Sequence, residues 1–204
     1  KQQLVERTFV GDHNYGTPDR QVGVHLCGNN SAKTFTWAVS GAKAAVDPSN
    51  SKLDFDTVGS LNGGDDWSEG EMIGARVGLY PMGYEKPSQG DFSGDMRTYV
   101  ALGAFTWGND EDNLDSTRED DVDAVTGVEV SAGLRAAGLS VDAQYNSFQS
   151  ELVDSGITDG IYESSETTLT SYAVEGGYMV LPKQLELVAG YQSQDADNYA
   201  DAWN

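Results

Sequence analysis

The chain has 204 residues, 33 acids against 12 bases, a net charge of −21 and a pI near 4.1, a balance that repels nucleic acid, and it holds no basic patch with interleaved aromatics. No apolar run approaches the roughly 18 to 20 residues of a membrane helix, and mean hydropathy is −0.47. A single cysteine, Cys27, excludes an internal disulfide and a thiolate metal site.

Taken in chain order, the segments alternate apolar and polar side chains with the period of two that defines a strand between two environments. Val22, Val24 and Leu26 oppose Gln21, Gly23, His25 and Cys27, with Arg20 at the mouth of this strand. Phe35, Trp37 and Val39 then oppose Thr36, Ala38 and Ser40, and Ile73, Ala75, Val77 and Leu79 oppose Gly74, Arg76 and Gly78. From Met96 to Trp107 the two faces are ambiguous. Val128, Val130, Ala132 and Leu134 oppose Glu129, Ser131, Gly133 and Arg135; after a tight Ala137-Gly138 turn, Leu139, Val141, Ala143 and Tyr145 oppose Ser140, Asp142, Gln144 and Asn146. Tyr172, Val174 and Tyr178 oppose Glu175 and Gly177, and Leu185, Leu187, Ala189 and Tyr191 oppose Glu186 and Gln192. The aromatics Trp37, Tyr80, Tyr99, Phe105, Trp107, Tyr145, Tyr172, Tyr178 and Tyr191 lie near strand ends, where rings form interfacial girdles, although sheet propensity favours the same residues.

The connections alternate as well. Residues 42–70 hold six acids and two bases, 108–124 eight and one, 150–168 five acids and 194–204 three, so these four long segments carry 19 of the 21 excess negative charges. The turns between them are nearly neutral. A soluble antiparallel sandwich also alternates, but its polar face meets bulk water and is charge-rich, and nothing in it puts every long loop at one end. Gly, Ser, Thr and Gln dominate the polar faces here. The pattern predicts an all-β, antiparallel transmembrane β-barrel, with residues 1–204 a segment of one domain and the long acidic loops extracellular. On that orientation the eight predicted strands start and finish outside, so further strands are expected before Val22 and after Tyr191.

Several stretches resemble the phosphate-selective porins O and P family of the bacterial outer membrane: Glu6-Arg7-Thr8, Arg20 to Leu26, Phe35 to Gly41, Gly74 to Val77, Tyr172 to Tyr178 and Leu185 to Tyr191. The resemblance implies a trimeric barrel of roughly sixteen strands, seated among outer-membrane lipid and lipopolysaccharide, passing ions and small hydrophilic solutes, with phosphate or other anions implied by the family. Arg7 falls on the family's Glu-Arg motif.

The expected pore-lining residues are Arg7, Arg20, His25, Arg76, Glu129, Arg135, Asp142, Gln144, Glu175 and Glu186. This wall is mixed with an acidic excess, so the basic lining that a phosphate channel needs is not evident. Glu129 and Arg135 share a face and Asp142 is on the next strand, which makes ion pairing between them geometrically plausible. In the acidic run, Asp110, Asp112, Asp115 and Asp120 are candidate oxygen ligands for weakly held Ca²⁺ or Mg²⁺, without the EF-hand spacing; a solvated acidic loop explains the same residues. No G-x-S-x-G, H-E-x-x-H, Walker loop or G-x-G-x-x-G is present, so an enzyme is not expected and no cofactor is implied. The expectation is a passive diffusion channel of the outer membrane; the alternative is an acidic structural or cation-binding β protein of the cell surface.

Overall fold

The computed structural model describes residues 22–43, 47–49, 52–54, 70–84, 90–109, 122–152, 155–156, 162–197 and 199–203. All regular structure among them is strand: β1 (Val22–Asn29), β2 (Phe35–Lys43), β3 (Asp47–Ser49), β4 (Lys52–Asp54), β5 (Gly70–Leu79), β6 (Arg97–Asn109), β7 (Val122–Ala136), β8 (Leu139–Leu152), β9 (Glu166–Leu181), β10 (Leu185–Ala196) and β11 (Tyr199–Trp203). Nine of them form one antiparallel sheet in the order β1-β2-β5-β6-β7-β8-β9-β10-β11; β3 and β4 pair separately. The main sheet is therefore an up-and-down meander. Its order begins at β1 and stops at β11, with no pairing between those two.

Local chemistry fixes the short turns. Asn30 Oδ1 accepts from the backbone N–H groups of Thr34 at 2.8 Å and Phe35 at 3.1 Å, closing β1 onto β2. Ala137 and Gly138 both have positive φ, 51° and 86°, the φ pair of a type I′ hairpin turn whose twist matches that of β7 and β8.

Residues 194–204 depart from the expected long loop. Gln194 to Ala196 complete β10, and β11 returns along it at once, with Ala196 opposite Tyr199. Asp197 sits at this bend, where its Oδ2 accepts from the Thr168 N–H at 2.8 Å. Asp197 thus serves a tight turn. The first long connection, likewise, contains the β3–β4 hairpin.

Register assigns the side chains of eight strands of the main sheet, β1, β2 and β5 to β10, to one of two faces. The row Cys27, Ala38, Arg76, Gly103, Glu129, Asn146, Ser171 runs across seven strands on one face, with Gln194 next on β10. The opposite face carries Leu26, Val39, Val77, Leu102, Val130, Tyr145 and Tyr172. Burial is inverted relative to a water-soluble sheet: Asn146, Ser171 and Gln194 are each 1% exposed, whereas Leu187 is 64% exposed.

The polar face is also the concave one. Strands two apart lie roughly 10 Å from each other, yet their side chains touch across glycines of the strand between them. Phe105 of β6 and Phe148 of β8 meet over Gly127 with ring centroids 5.8 Å apart. Arg76 reaches Glu129 over Gly103, Tyr99 reaches Asp142 over Gly133, and Ser140 reaches Glu186 over Gly177. Such contacts require the sheet to curl about this face.

Not all of the inner face is polar, contrary to the expected lumen lining. At the end of the long connections Met72, Trp107, Val122, Val125, Phe148, Leu152, Tyr162, Leu169 and Ala196 form an apolar cluster. β6, ambiguous from sequence, points Arg97, Tyr99, Ala101, Gly103, Phe105 and Trp107 inward, so three of the aromatics expected in a girdle face the concave side.

Gly127 and Gly41 separate packing from propensity. A Cβ at Gly127 would lie 2.1 Å from Phe105 Cε1 and 2.6 Å from Phe148 Cδ1, whereas at Gly41 nothing lies within 4 Å. Gly127→Ala is expected to destabilise by about 1 to 3 kcal/mol through overpacking, and Gly41→Ala to be neutral or stabilising. Denaturant unfolding of the two variants checks this.

Candidate functional site

The polar residues of the inner face gather toward the short-turn end, on strands β5 to β10. Arg76 Nη2 donates to Ser131 Oγ at 3.2 Å and lies 3.6 Å from Glu129 Oε1, and the Ser131 hydroxyl donates to the same Glu129 oxygen at 3.2 Å. Two rows on, Arg135 is almost fully buried. Its Nη1 donates to the carbonyls of Leu134 (2.9 Å) and Val141 (3.1 Å), and its Nη2 to Asp142 Oδ2 at 2.5 Å. The Tyr99 hydroxyl donates to Asp142 Oδ1 at 3.1 Å. Sequence parity placed Arg135 and Asp142 near each other, and the structure joins them in an ion pair.

Glu175 stands directly opposite Asp142 on β9. It is 7% exposed, and its Oε1 is buried without a hydrogen-bond partner. Glu186, on β10, leans across Gly177 so that its Oε1 accepts from the Ser140 hydroxyl at 2.9 Å. Gln144 Nε2 donates to Asn146 Oδ1 at 3.4 Å. His25 projects from the inner side of β1, exposed, opposite Ser40.

Near the β1–β2 turn the inner side holds a recess of about 440 Å³, lined by Asn29, Lys33, Thr36, Arg76, Tyr80 and Tyr84. Its charged side chains are both basic. Cys27 also borders it. Tyr80 is buried between Tyr84 (centroids 5.0 Å) and Tyr99 (6.0 Å), which carries the aromatic lining from the recess toward Asp142.

The β5–β6 connection, expected as a plain neutral turn, ties several strands together. Asp91 Oδ1 accepts from Gly94 N at 2.8 Å and from the N–H and hydroxyl of Ser93 at 3.2 and 3.3 Å, while Oδ2 accepts from Gly138 N at 2.7 Å. A Cβ at Gly90 would fall 2.6 Å from Met179 Cε and 2.7 Å from Glu186 Oε2, so the same connection also reaches β9 and β10. Arg97 closes its other side, donating to the Met82 carbonyl and lying 3.8 Å from Asp95 Oδ2.

Of the expected site residues, Arg76, Glu129, Arg135, Asp142, Gln144, Glu175 and Glu186 share the inner face of β5 to β10, and His25 lies apart from them on β1. Arg7, Arg20, Asp110, Asp112, Asp115 and Asp120 lie outside the described residues. Among the described residues no group of three or more His, Cys, Asp or Glu is placed to hold a metal ion. Ser131 and Ser140 fall on the polar faces by parity but are not among the expected site residues, Tyr99 is expected in an aromatic girdle and instead faces Asp142, and Asp91 has only its Asp-x-Ser-Gly context as a signal. Comparison with protein-family models, with curated proteins and with solved structures gave no match.

Asp91 gives this end of the sheet an acid dependence. Burial alone would raise its pKa, but donation from Gly138, Gly94 and Ser93 outweighs burial and holds the carboxyl below its ordinary value. With the folded value below the unfolded one near 3.9, its stabilisation is complete above that value and is lost as pH falls through the folded one. Asp91→Ala is expected to cost about 1 to 3 kcal/mol at neutral pH. In urea unfolding at a series of pH values, the gap between wild type and variant should close below pH ~3.9.

Proposed function

We propose that this chain forms the wall of an outer-membrane β-barrel channel through which ions and small hydrophilic solutes diffuse passively. The observation that carries the reading is the inverted sheet: apolar side chains on the convex face are exposed, and the polar ones are gathered on the concave face. In water an uncovered apolar face of this extent is unfavourable. Against lipid hydrocarbon it is the stable arrangement.

Aromatic placement on the convex face supports the same reading. Tyr145 and Tyr172 are register partners, and Tyr191 packs on Tyr172 with centroids 5.9 Å apart. Beyond this row the same face turns polar, through Gln149, Glu151, Glu166 and Asp195. Tyr178, six residues along β9 from Tyr172, marks the other limit, a span of roughly 20 Å at ~3.4 Å per residue. Between the two rows lies an apolar band, and aromatic rows at both of its limits are the arrangement of interfacial girdles. Among the described residues β1 pairs only with β2, and β10 from Leu185 to Ser193 only with β9; backbone groups on those outer edges need partners in hydrocarbon, which favours a wall segment of a larger barrel, of the sixteen-stranded kind that the resemblance implies, over a sheet that stands alone. Anions, phosphate among them, enter through that resemblance and through the recess at Lys33 and Arg76.

Face-specific substitution tests the membrane reading. Val130→Arg puts a base on the convex face, at a cost of about 2 to 4 kcal/mol at mid-membrane, and is expected to reduce heat-resistant assembled protein sharply. Gln144→Arg, on the concave face, should assemble nearly as wild type. Gln144 is a better comparator than Ser131, whose hydroxyl is buried between Arg76 and Glu129. Wild type purified in detergent should give stepwise conductance in planar bilayers; a detergent-independent soluble monomer would overturn the proposal.

A further inference from the structure

We propose that Glu175 and Glu186 form a cation-binding subsite on the channel wall that takes small monovalent cations; this rests on the channel reading above. Four carboxylates lie on the inner face of β7 to β10: Glu129, Asp142, Glu175 and Glu186. Two are matched by bases, Glu129 by Arg76 and Asp142 by Arg135. The third inward base carried on a strand, Arg97, is engaged with Asp95, and Lys33 lies at the β1–β2 turn. Glu175 and Glu186 have no ion-pair partner among the described residues.

The two carboxylates occupy adjoining positions of the inner face. Glu186 Oε1 occupies the space above Gly177, 2.1 Å from where a Cβ would stand. Gly177 is the next inward residue after Glu175 on β9, about 7 Å along the strand. Asp142 faces Glu175 from β8, with Cβ atoms ~5 Å apart for register partners. The guanidinium of Arg135 serves Asp142 and two backbone carbonyls.

Glu175 supplies the independent sign of a missing ligand. An ionised oxygen held out of water without a donor is costly unless a positive charge sits beside it. No group of three or more acidic or imidazole ligands converges among the described residues. Ca²⁺ requires six to eight oxygens, so a divalent chelate does not fit, whereas a monovalent cation keeping part of its water does. Acid-lined walls of this kind favour cations over anions in a pore.

The test is the reversal potential of single channels in planar bilayers under a KCl gradient, for wild type, Glu175→Gln and Glu186→Gln. The amides keep the shape of the acids, and folding is followed by heat-modifiable gel mobility. The K⁺/Cl⁻ permeability ratio is expected to fall about twofold to fivefold in each variant, with Glu166→Gln, on the convex face, unchanged. Glu186→Gln keeps the proposal testable should Glu175→Gln fail to assemble, because its amide oxygen still accepts from Ser140. Normal conductance with an unaltered ratio in every inner-face variant that folds overturns the subsite and leaves the channel standing. Absence of conductance from folded wild type overturns both.

Discussion

Side chains of strands two apart can touch only where the strand between them offers no Cβ and the sheet bends toward them, and the inner face depends on that condition. Gly103, Gly127, Gly133 and Gly177 meet it on β6, β7 and β9. Each contact then reinforces the curvature that makes it possible. The ring pair over Gly127 anchors the apolar end, and the Arg76–Glu129, Tyr99–Asp142 and Ser140–Glu186 contacts anchor the polar end. A methyl group at one of these positions would act as a wedge between next-nearest strands, a larger disturbance than its volume suggests.

Charge on the concave side is arranged in consequence. Because Gly133 lets Tyr99 and Arg135 converge on Asp142, that carboxylate is saturated from both sides, and Glu175 opposite it receives nothing. The base-lined recess at Lys33 and Arg76 lies several strands away, toward β1 and β2. Pairing consumes charge where strands curl most tightly, Arg76 included, and leaves Lys33 at the β1–β2 turn and the carboxylates of Glu175 and Glu186 on β9 and β10 outside those pairs.

Period-two alternation was legible wherever the two faces differ in chemistry, as in β7, where Val128 and Val130 alternate with Glu129 and Ser131. It failed in β6 for a physical reason. Tyr99, Phe105 and Trp107 point inward, while Thr98 and Thr106 point outward, so hydropathy no longer tracks the face and only register with β5 and β7 decides. Asp195 and Asp197 suggested a loop because acids usually mark one; here Asp197 serves a bend between two strands. The Arg135–Asp142 pair could be anticipated since it lies within one hairpin. Contacts that cross an intervening glycine strand, and the anchoring of Gly138 by Asp91 from a separate connection, leave no spacing signature in the sequence.

The acidic long connections and the acidic wall are separable in their effects. Glu175 lies nine residues along β9 from Glu166, where the strand emerges from its long connection, a distance of about 30 Å at ~3.4 Å per residue. The Debye length at physiological ionic strength is about 8 Å, so the charge of Glu166 is largely screened at Glu175. In the proposed channel such charge would raise cation concentration at the mouth and set the rate of entry. Discrimination within the channel must come from groups within a few ångströms of the passing ion. If the chain forms the proposed channel, selectivity would rest with Glu175, Glu186 and the recess at Lys33, and the large net charge of the chain would be a poor guide to the ion preferred.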